Sequence, residues 1–325
     1  MQGRAVIVGI ISGIIYGIVI RVMSEWSTIE GDGIYEIITY SFLITMPFAV
    51  GAISVYIAAD KKHTTIKSQL YISFLTMLFF LLAMMVLMLE GFICIVLIAP
   101  VFIVASLAGG LIMGFVNNKY KSKAKGTLNS FVLIPLILSP LESIIPVSPE
   151  TGMVETSIVI YAPPEKIFNE LGSVKKIKKS ELGFSFMHFV GLPAPLEASM
   201  SKKGVGAVRI SKWEKGVTFK ERITVWNAPW QLHYEFDIPK GSIPREALDR
   251  HVELGGDYFT LVKGGYDIER IGDNKSRLIL RTYYKNTSHL KLFGGIWASY
   301  VFNDFHYSLL KLMKNRSEQL NKAYL

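Results

Sequence analysis

The chain has 325 residues, half of them hydrophobic, with a mean hydropathy of +0.36 and a net charge of +9. This is too apolar for an average soluble protein, and the excess lies in residues 1–147, which carry nine Lys and Arg and seven Asp and Glu against 26 and 19 in the remainder. The basic surplus suits an anionic membrane surface more than nucleic acid, because no nucleic-acid motif accompanies it. Cys94 is the single cysteine and lies in an apolar run, which excludes a disulfide framework and a cysteine zinc site.

Residues 1–147 read as a transmembrane helical domain of four to five helices. Residues 5–20 are uncharged, between Arg4 and Arg21. If Arg21 snorkels, the span extends to about Ser24. No small-residue cleavage site follows, so a retained anchor is expected rather than a signal peptide. Gly9, Gly13 and Gly17 recur every four residues and would let another helix approach closely, including one from a second copy. Residues 37–59 form a second run, with Pro47 as a kink. Residues 70–89 and 91–116 form a third and fourth, joined at Glu90-Gly91 as a tight hairpin.

Lysines crowd the loops at residues 60–67 (Lys61, Lys62, Lys67) and 119–125. Residues 21–36 set one arginine against Glu25, Glu30, Asp32 and Glu36. By the positive-inside rule the lysine loops and the N-terminus face the cytoplasm. Residues 127–147 are apolar except for Glu142 and are interrupted by Pro135, Pro140 and Pro146. If this run crosses, five helices result and the remainder of the chain lies outside the cytoplasm. If it is re-entrant, the remainder stays inside. Crossing is favoured, since prolines are tolerated in membrane helices. Residues 148–152 then read as a linker and residues 153–325 as a globular domain.

Residues 156–171, TSIVIYAPPEKIFNEL, read as a strand, a break and a helix. Ile158 and Ile160 alternate with Ser157 and Val159. The two prolines stop the strand, and Glu165 favours the positive end of the helix dipole. Residues 173–180 predict a second, short helix, with Val174 and Ile177 inward and Lys175, Lys176, Lys178 and Lys179 outward. Phe184, Phe186 and Phe189 lead a proline-rich loop that would cap something apolar.

Residues 206–213 and 217–226 predict a hairpin around Glu214-Lys215-Gly216. The favoured register sets Trp213 opposite Val217, Ser211 opposite Phe219 and Arg209 opposite Glu221. A slip of one residue would set Arg209 against Arg222. The face bearing Phe219, Glu221, Ile223 and Val225 is mostly apolar. The Arg209/Glu221 pair on it either fixes the register or anchors the polar head of a greasy ligand. Residues 231–237 continue the sheet, with Leu232, Tyr234 and Phe236 on one face. Residues 238–256 are polar and could form a lid, and residues 257–271 and 276–284 form a last hairpin. Residues 292–320 are a long closing helix with an apolar stripe through Trp297, Ala298, Val301, Phe302, Phe305, Leu309 and Leu312.

Three pieces of this sequence resemble the START-like (SRPBCC) superfamily of polyketide cyclase/dehydrase and lipid-transport proteins. One is the strand–helix opening. The others are Gly191-Leu192-Pro193-Ala194-Pro195 with Gly204-Val205-Gly206-Ala207-Val208-Arg209, and Phe219-Lys220-Glu221-Arg222-Ile223-Thr224. The latter two look like a membrane-attached bacterial branch. The resemblance covers roughly residues 154–320 and implies an α+β helix-grip fold: a curved antiparallel sheet, a long C-terminal helix and an elongated cavity between them. It implies an integral protein of the bacterial cytoplasmic membrane that binds or transfers a lipophilic molecule such as a lipid, an isoprenoid or a polyketide-like compound. The cavity residues would be Phe168, Trp213, Phe219, Trp226, Tyr234, Phe259, Trp297, Val301 and Phe302, with Arg209 and Glu221 orienting a polar head.

Two other readings stay open. One is a cyclase, dehydratase or hydrolase using His306, His251 or Tyr234 for proton transfer. The other is a structural or sensory protein whose interior is filled by its own tryptophans. No HExxH, P-loop, GxSxG or dinucleotide fingerprint is present, and the six histidines lack metal-ligand spacing. Neither a metal nor a cofactor is therefore expected.

Overall fold

The computed structural model describes residues 2–30, 39–59, 64–244, 247–248, 254–256 and 258–322. The chain divides into two units, Met1–Val147 and Ser148–Leu325.

The first unit is all helical: α1 (Gln2–Glu30), α2 (Met46–Ala58), α3 (Ile66–Val86), α4 (Phe92–Lys119) and α5 (Lys121–Ser143). Four of them, and α2 together with the helical turn at Ser41–Thr45 before it, contain segments long and apolar enough to cross a membrane. Small residues set their packing. A Cβ on Gly9 would lie 2.4 Å from the Ser54 carbonyl oxygen, one on Gly13 2.7 Å from Thr76, and one on Gly17 2.6 Å from Phe80. The close approach expected of this stripe is therefore made by α2 and α3 of the same chain. All three glycines are buried by it, which removes the stripe as a surface for a second copy. Gly51 backs onto the Ser106 carbonyl, with a would-be Cβ at 2.0 Å.

Pro47 stands just after a π-helical turn at Ser41–Thr45, within helical backbone that runs from Ser41 to Ala58, where the widened turn accommodates a residue with no N–H to donate. One further expectation changes. Arg21 does not snorkel. It is buried, its Nε donates to Glu90 Oε1 at 2.8 Å and its Nη2 to the Leu89 carbonyl at 2.8 Å, because the α3–α4 turn brings a carboxylate to the end of α1.

The path of α5 follows from its partners. Val132 near its middle accepts from Tyr16 Oη of α1, and Phe131 meets Phe48 of α2 edge to face. At its far end the Glu142 carboxylate accepts from the N–H groups of Tyr40 and Ser41, each at 2.8 Å. There it caps donors that the start of a helix leaves unpaired. The loop before α3 lies at the opposite end, where Thr64 is bonded to Asn118 near the close of α4. Lys67, Lys119, Lys121, Lys123 and Lys125 therefore gather at one end of the unit, and α5 runs the whole length to the other. Lys61 and Lys62 lie outside the described residues.

The second unit is an α+β helix-grip fold. Seven strands, β1 (Glu150–Ile160), β2 (Pro195–Met200), β3 (Val208–Trp213), β4 (Thr218–Asn227), β5 (Gln231–Asp237), β6 (Phe259–Gly272) and β7 (Lys275–Asn286), form one curved antiparallel sheet in the order β1-β7-β6-β5-β4-β3-β2. Between β1 and β2 lie α6 (Pro164–Gly172) and two single turns, α7 (Lys179–Leu182) and α8 (Phe186–Phe189). The chain closes with α9 (Lys291–Lys322), which packs on the sheet. Alternation builds the inner face. Along β7 the buried side chains include Ser276, Leu278, Leu280, Thr282, Tyr284 and Asn286, every second residue.

The linker expected at 148–152 is shorter, because Glu150, Thr151 and Gly152 already pair with Asn286, Lys285 and Tyr284 of β7. The short helix expected over 173–180 begins only at Lys179. Val174 instead exchanges both backbone hydrogen bonds with Ala198 of the edge strand β2, at 2.7 and 2.8 Å. A spacing of three apolar-to-apolar positions suits either arrangement, and an unpaired sheet edge offers the backbone ready partners. The lysines still face outward.

Candidate functional site

The β3–β4 hairpin has the expected register: Arg209 pairs with Glu221 and Ser211 with Phe219, around a turn with Lys215 at φ 56° and Gly216 at φ 75°. Arg209 and Glu221 are 4 % and 5 % exposed and form an ion pair. Arg209 Nη1 donates to the Leu171 carbonyl at 2.8 Å, and its guanidinium lies 4.7 Å from the centre of the Tyr234 ring. Burial alone would lower the Arg209 pKa, but the charge and hydrogen bond of Glu221, with Tyr234 and Tyr266, together outweigh it and the net shift is upward. Burial also raises Tyr234, and pushes Tyr266 up to about 12. The pair lies inside the main core, among residues such as Leu171, Ile223 and Tyr234. Within it Arg209 Nε is held by Glu221 and Nη1 by the Leu171 carbonyl, and the pair fixes the register of the hairpin.

Aromatic side chains fill the space between the sheet and α9. Trp213 stacks on Phe305 at 4.8 Å and leans on Phe219 at 5.8 Å. Phe236 links Phe219 to Tyr234. Phe259, Tyr284 and Phe302 form a second stack with centroids 5.0–6.0 Å apart. Ile243, Ala247 and Leu248, from the segment expected as a lid, pack on Val217 and Phe219. Five of the predicted cavity residues thus meet here or at the ion pair: Trp213, Phe219, Tyr234, Phe259 and Phe302. Sequence reasoning left out Phe236, Tyr266, Tyr284 and Phe305, although Phe236, Tyr266 and Phe305 each share a strand or helix with a residue that was named. Val301 is half-buried beside Phe302. Trp297 instead meets Phe293 and Tyr300, on the face of α9 that carries exposed Ile296 and Tyr300.

His306 is buried within this layer. Thr156 Oγ1 donates to Asn303 Oδ1 at 2.8 Å, which leaves its lone pair to accept from His306 Nδ1 at 3.1 Å. Nε2, then without a proton, accepts from Thr282 Oγ1 at 2.8 Å. The neutral ring is fully bonded, and desolvation drives its pKa down to about 4. His306 and Tyr234 belong to separate groups of partners, and His251 lies outside the described residues.

Phe168 and Trp226 come together elsewhere. Their rings meet edge to face at 5.1 Å, on the wall of a cleft of about 230 Å³. Trp226 reaches it because a bulge between Ile223 and Val225 shifts the register of β4. Met200 and Gly172 complete the apolar lining, while Asn169, Ser173, Ser201, Lys202 and Lys203 supply the polar rim. A Cβ on Gly172 would stand 3.1 Å from Met200, closer than ordinary contact, and 3.4 Å from Trp226. Gly204 and Gly206 lie in the turn after the rim lysines, at φ 111° and 79°. Among the described residues no group of three His, Cys, Asp or Glu side chains is placed to hold a metal.

No protein-family model matches the sequence. No curated protein matches it either. Solved structures do. A point mutant of norcoclaurine synthase from Thalictrum flavum, in complex with a transition-state analogue, is 14% identical at a TM-score of 0.35, over 54% of this chain and 99% of that one. A START superfamily protein from Mycobacterium smegmatis is 14% identical at a TM-score of 0.33, over 52% and 98%. An aromatase/cyclase from Streptomyces is 10% identical at 0.33, over 52% and 95%.

Proposed function

We propose that this protein is a membrane-spanning binder of a lipophilic small molecule with an anionic or hydrogen-bonding head. The cleft beside α6 carries the reading. Phe168, Met200 and Trp226 form its apolar wall, and Lys202 and Lys203 stand at its rim. At about 230 Å³ it is smaller than the roughly 300–1,000 Å³ of sites that enclose a drug-sized ligand. It would therefore hold one end of a ligand, with the charged group at the lysines. Five crossings, with the lysine-bearing end in the cytoplasm, put the START-like unit on the outer face of a bacterial cytoplasmic membrane.

Native mass spectrometry of the full chain, after incubation with a total lipid extract, tests this. A reproducible adduct is expected, lost in Trp226→Ala and weakened in the Lys202→Glu/Lys203→Glu variant. A clean mass across the extract would sink the proposal. It would favour a second reading, a structural or sensory domain that grips a protein partner. The stacking of Trp213, Phe219 and Phe305 where a cavity was expected supports that alternative.

A further inference from the structure

The START-like unit exposes an apolar face that neither its core nor its cleft explains. Leu292 and Ile296, four residues apart on α9, are 70% and 60% exposed, and Tyr300 continues the stripe. Phe184, two residues before α8, and Phe189, the last residue of α8, are 76% and 74% exposed, with their rings 6.4 Å apart. The two parts are held together. Asp304 of α9 accepts from the Ser185 hydroxyl and from the N–H groups of Phe186 and Met187, and the Phe186 ring meets Tyr300 at 6.2 Å. A fixed aromatic surface of this kind marks an interaction site.

Three observations identify the occupant. Glu150, where the chain enters the unit, pairs with Asn286 at the end of β7, only a few residues before α9 begins, so tether and apolar face share one end of the fold. Six residues separate Ser143 from Glu150, seven steps with a reach of at most about 25 Å at 3.3–3.6 Å per residue. Lys285 and Lys291 stand at that end with no ion pair among the described residues, set against the carboxylate of Glu150. Aromatic side chains flanked by lysines suit the boundary between acyl chains and anionic headgroups. We propose that this face of α9 and α8 lies in the headgroup region of the bilayer that anchors the chain. The proposal rests on the membrane-spanning reading above.

The test uses the full chain with Cys94→Ser, reconstituted in vesicles of phosphatidylcholine and phosphatidylglycerol. An environment-sensitive fluorophore is placed by Phe189→Cys, Ile296→Cys, Asp273→Cys or Ile112→Cys, one at a time. Asp273 lies in the β6–β7 turn at the far end of the strands, and Ile112 faces outward on α4. Labels at 189 and 296 should be quenched several-fold more than the label at 273 by lipids carrying a nitroxide near the headgroup. The label at 112 should be quenched by a nitroxide deep in the acyl chain. If 112 is quenched but 189 and 296 match 273, the docking proposal fails alone. If 112 is not quenched, the membrane-spanning reading fails and takes the proposal with it. Blue-shifted emission at 189 and 296 without lipid quenching would mean burial against protein, which also overturns it.

Discussion

The buried pair of Arg209 and Glu221 gives the sharpest test of how the helix-grip unit is held together. Glu221→Leu removes the anion and leaves a guanidinium 4 % exposed, with only the Leu171 carbonyl and the Tyr234 ring beside it. Stranding one charge of a buried pair costs about 3–5 kcal/mol. In a unit of this size each kcal/mol moves the midpoint by about 2–4 °C, so the loss is roughly 6–20 °C. The double variant Arg209→Met/Glu221→Leu restores charge balance with apolar side chains and gives up the bond to Leu171, a loss of about 1–3 kcal/mol. It should recover most of the midpoint. Thermal unfolding followed by tryptophan fluorescence reads this directly, since Trp213, Trp226, Trp230 and Trp297 lie in this unit and Trp26 alone lies outside it. Equal losses in the single and double variants would refute the reasoning, because the pair would then contribute by net attraction and not by mutual compensation of burial. The double variant should also keep any lipid adduct that Trp226→Ala loses, since the pair does not line the cleft.

The neutral His306 should make the protein acid-sensitive. Its folded pKa of about 4 lies below the roughly 6.5 of an unfolded chain, so stability is full above pH 6.5 and falls as the unfolded state takes up the proton. The loss reaches roughly 3 kcal/mol by pH 4. His306→Gln should flatten this part of the midpoint–pH curve, and coincident curves for the two proteins would count against the bonding derived for the ring. In the helical unit, Gly51→Leu would drive a side chain into the Ser106 backbone and should lower the yield of folded protein in detergent. Gly9→Leu should do likewise, without converting a dimer to a monomer on light scattering. A clean dimer-to-monomer change would return the stripe to an interface between copies.

Much of the fold was legible because it rests on local patterns. The uncharged runs gave the helices, alternation gave the inner faces of β1 and β5, and opposite charges at 209 and 221 gave the hairpin register. What was not legible depends on partners distant in sequence. Arg21 looked like a snorkelling residue until the Glu90 turn came to meet it. Gly9, Gly13 and Gly17 announced a close helix contact but not whose helix it was. Residues 173–178 carried a spacing that a helix or an extended edge could satisfy, and only the position of β2 decided between them.

The cleft shows why a site is harder to read than a fold. Strict alternation along β4 continues the inner face from Phe219, Glu221 and Ile223 to Val225, which would turn Trp226 outward. A bulge adds one residue after Ile223 and reverses the faces beyond it, so Trp226 pairs with Leu232 and turns to Phe168. Nothing in the sequence near residue 224 marks that shift, since neither glycine nor proline stands there. The rim follows from a second non-local event. Val174 pairs with β2, which leaves Met200, Lys202 and Lys203 beside the end of α6. In the native sequence a ligand that depends on Trp226 therefore depends on the bulge to turn it inward. Deleting Thr224 takes out the extra residue and leaves Val225 opposite His233 and Trp226 opposite Leu232 in a regular ladder, so Trp226 still faces Phe168 and an adduct should survive. An adduct lost on that deletion in a folded protein would show that the distorted backbone of the bulge, and not the inward Trp226, makes the site.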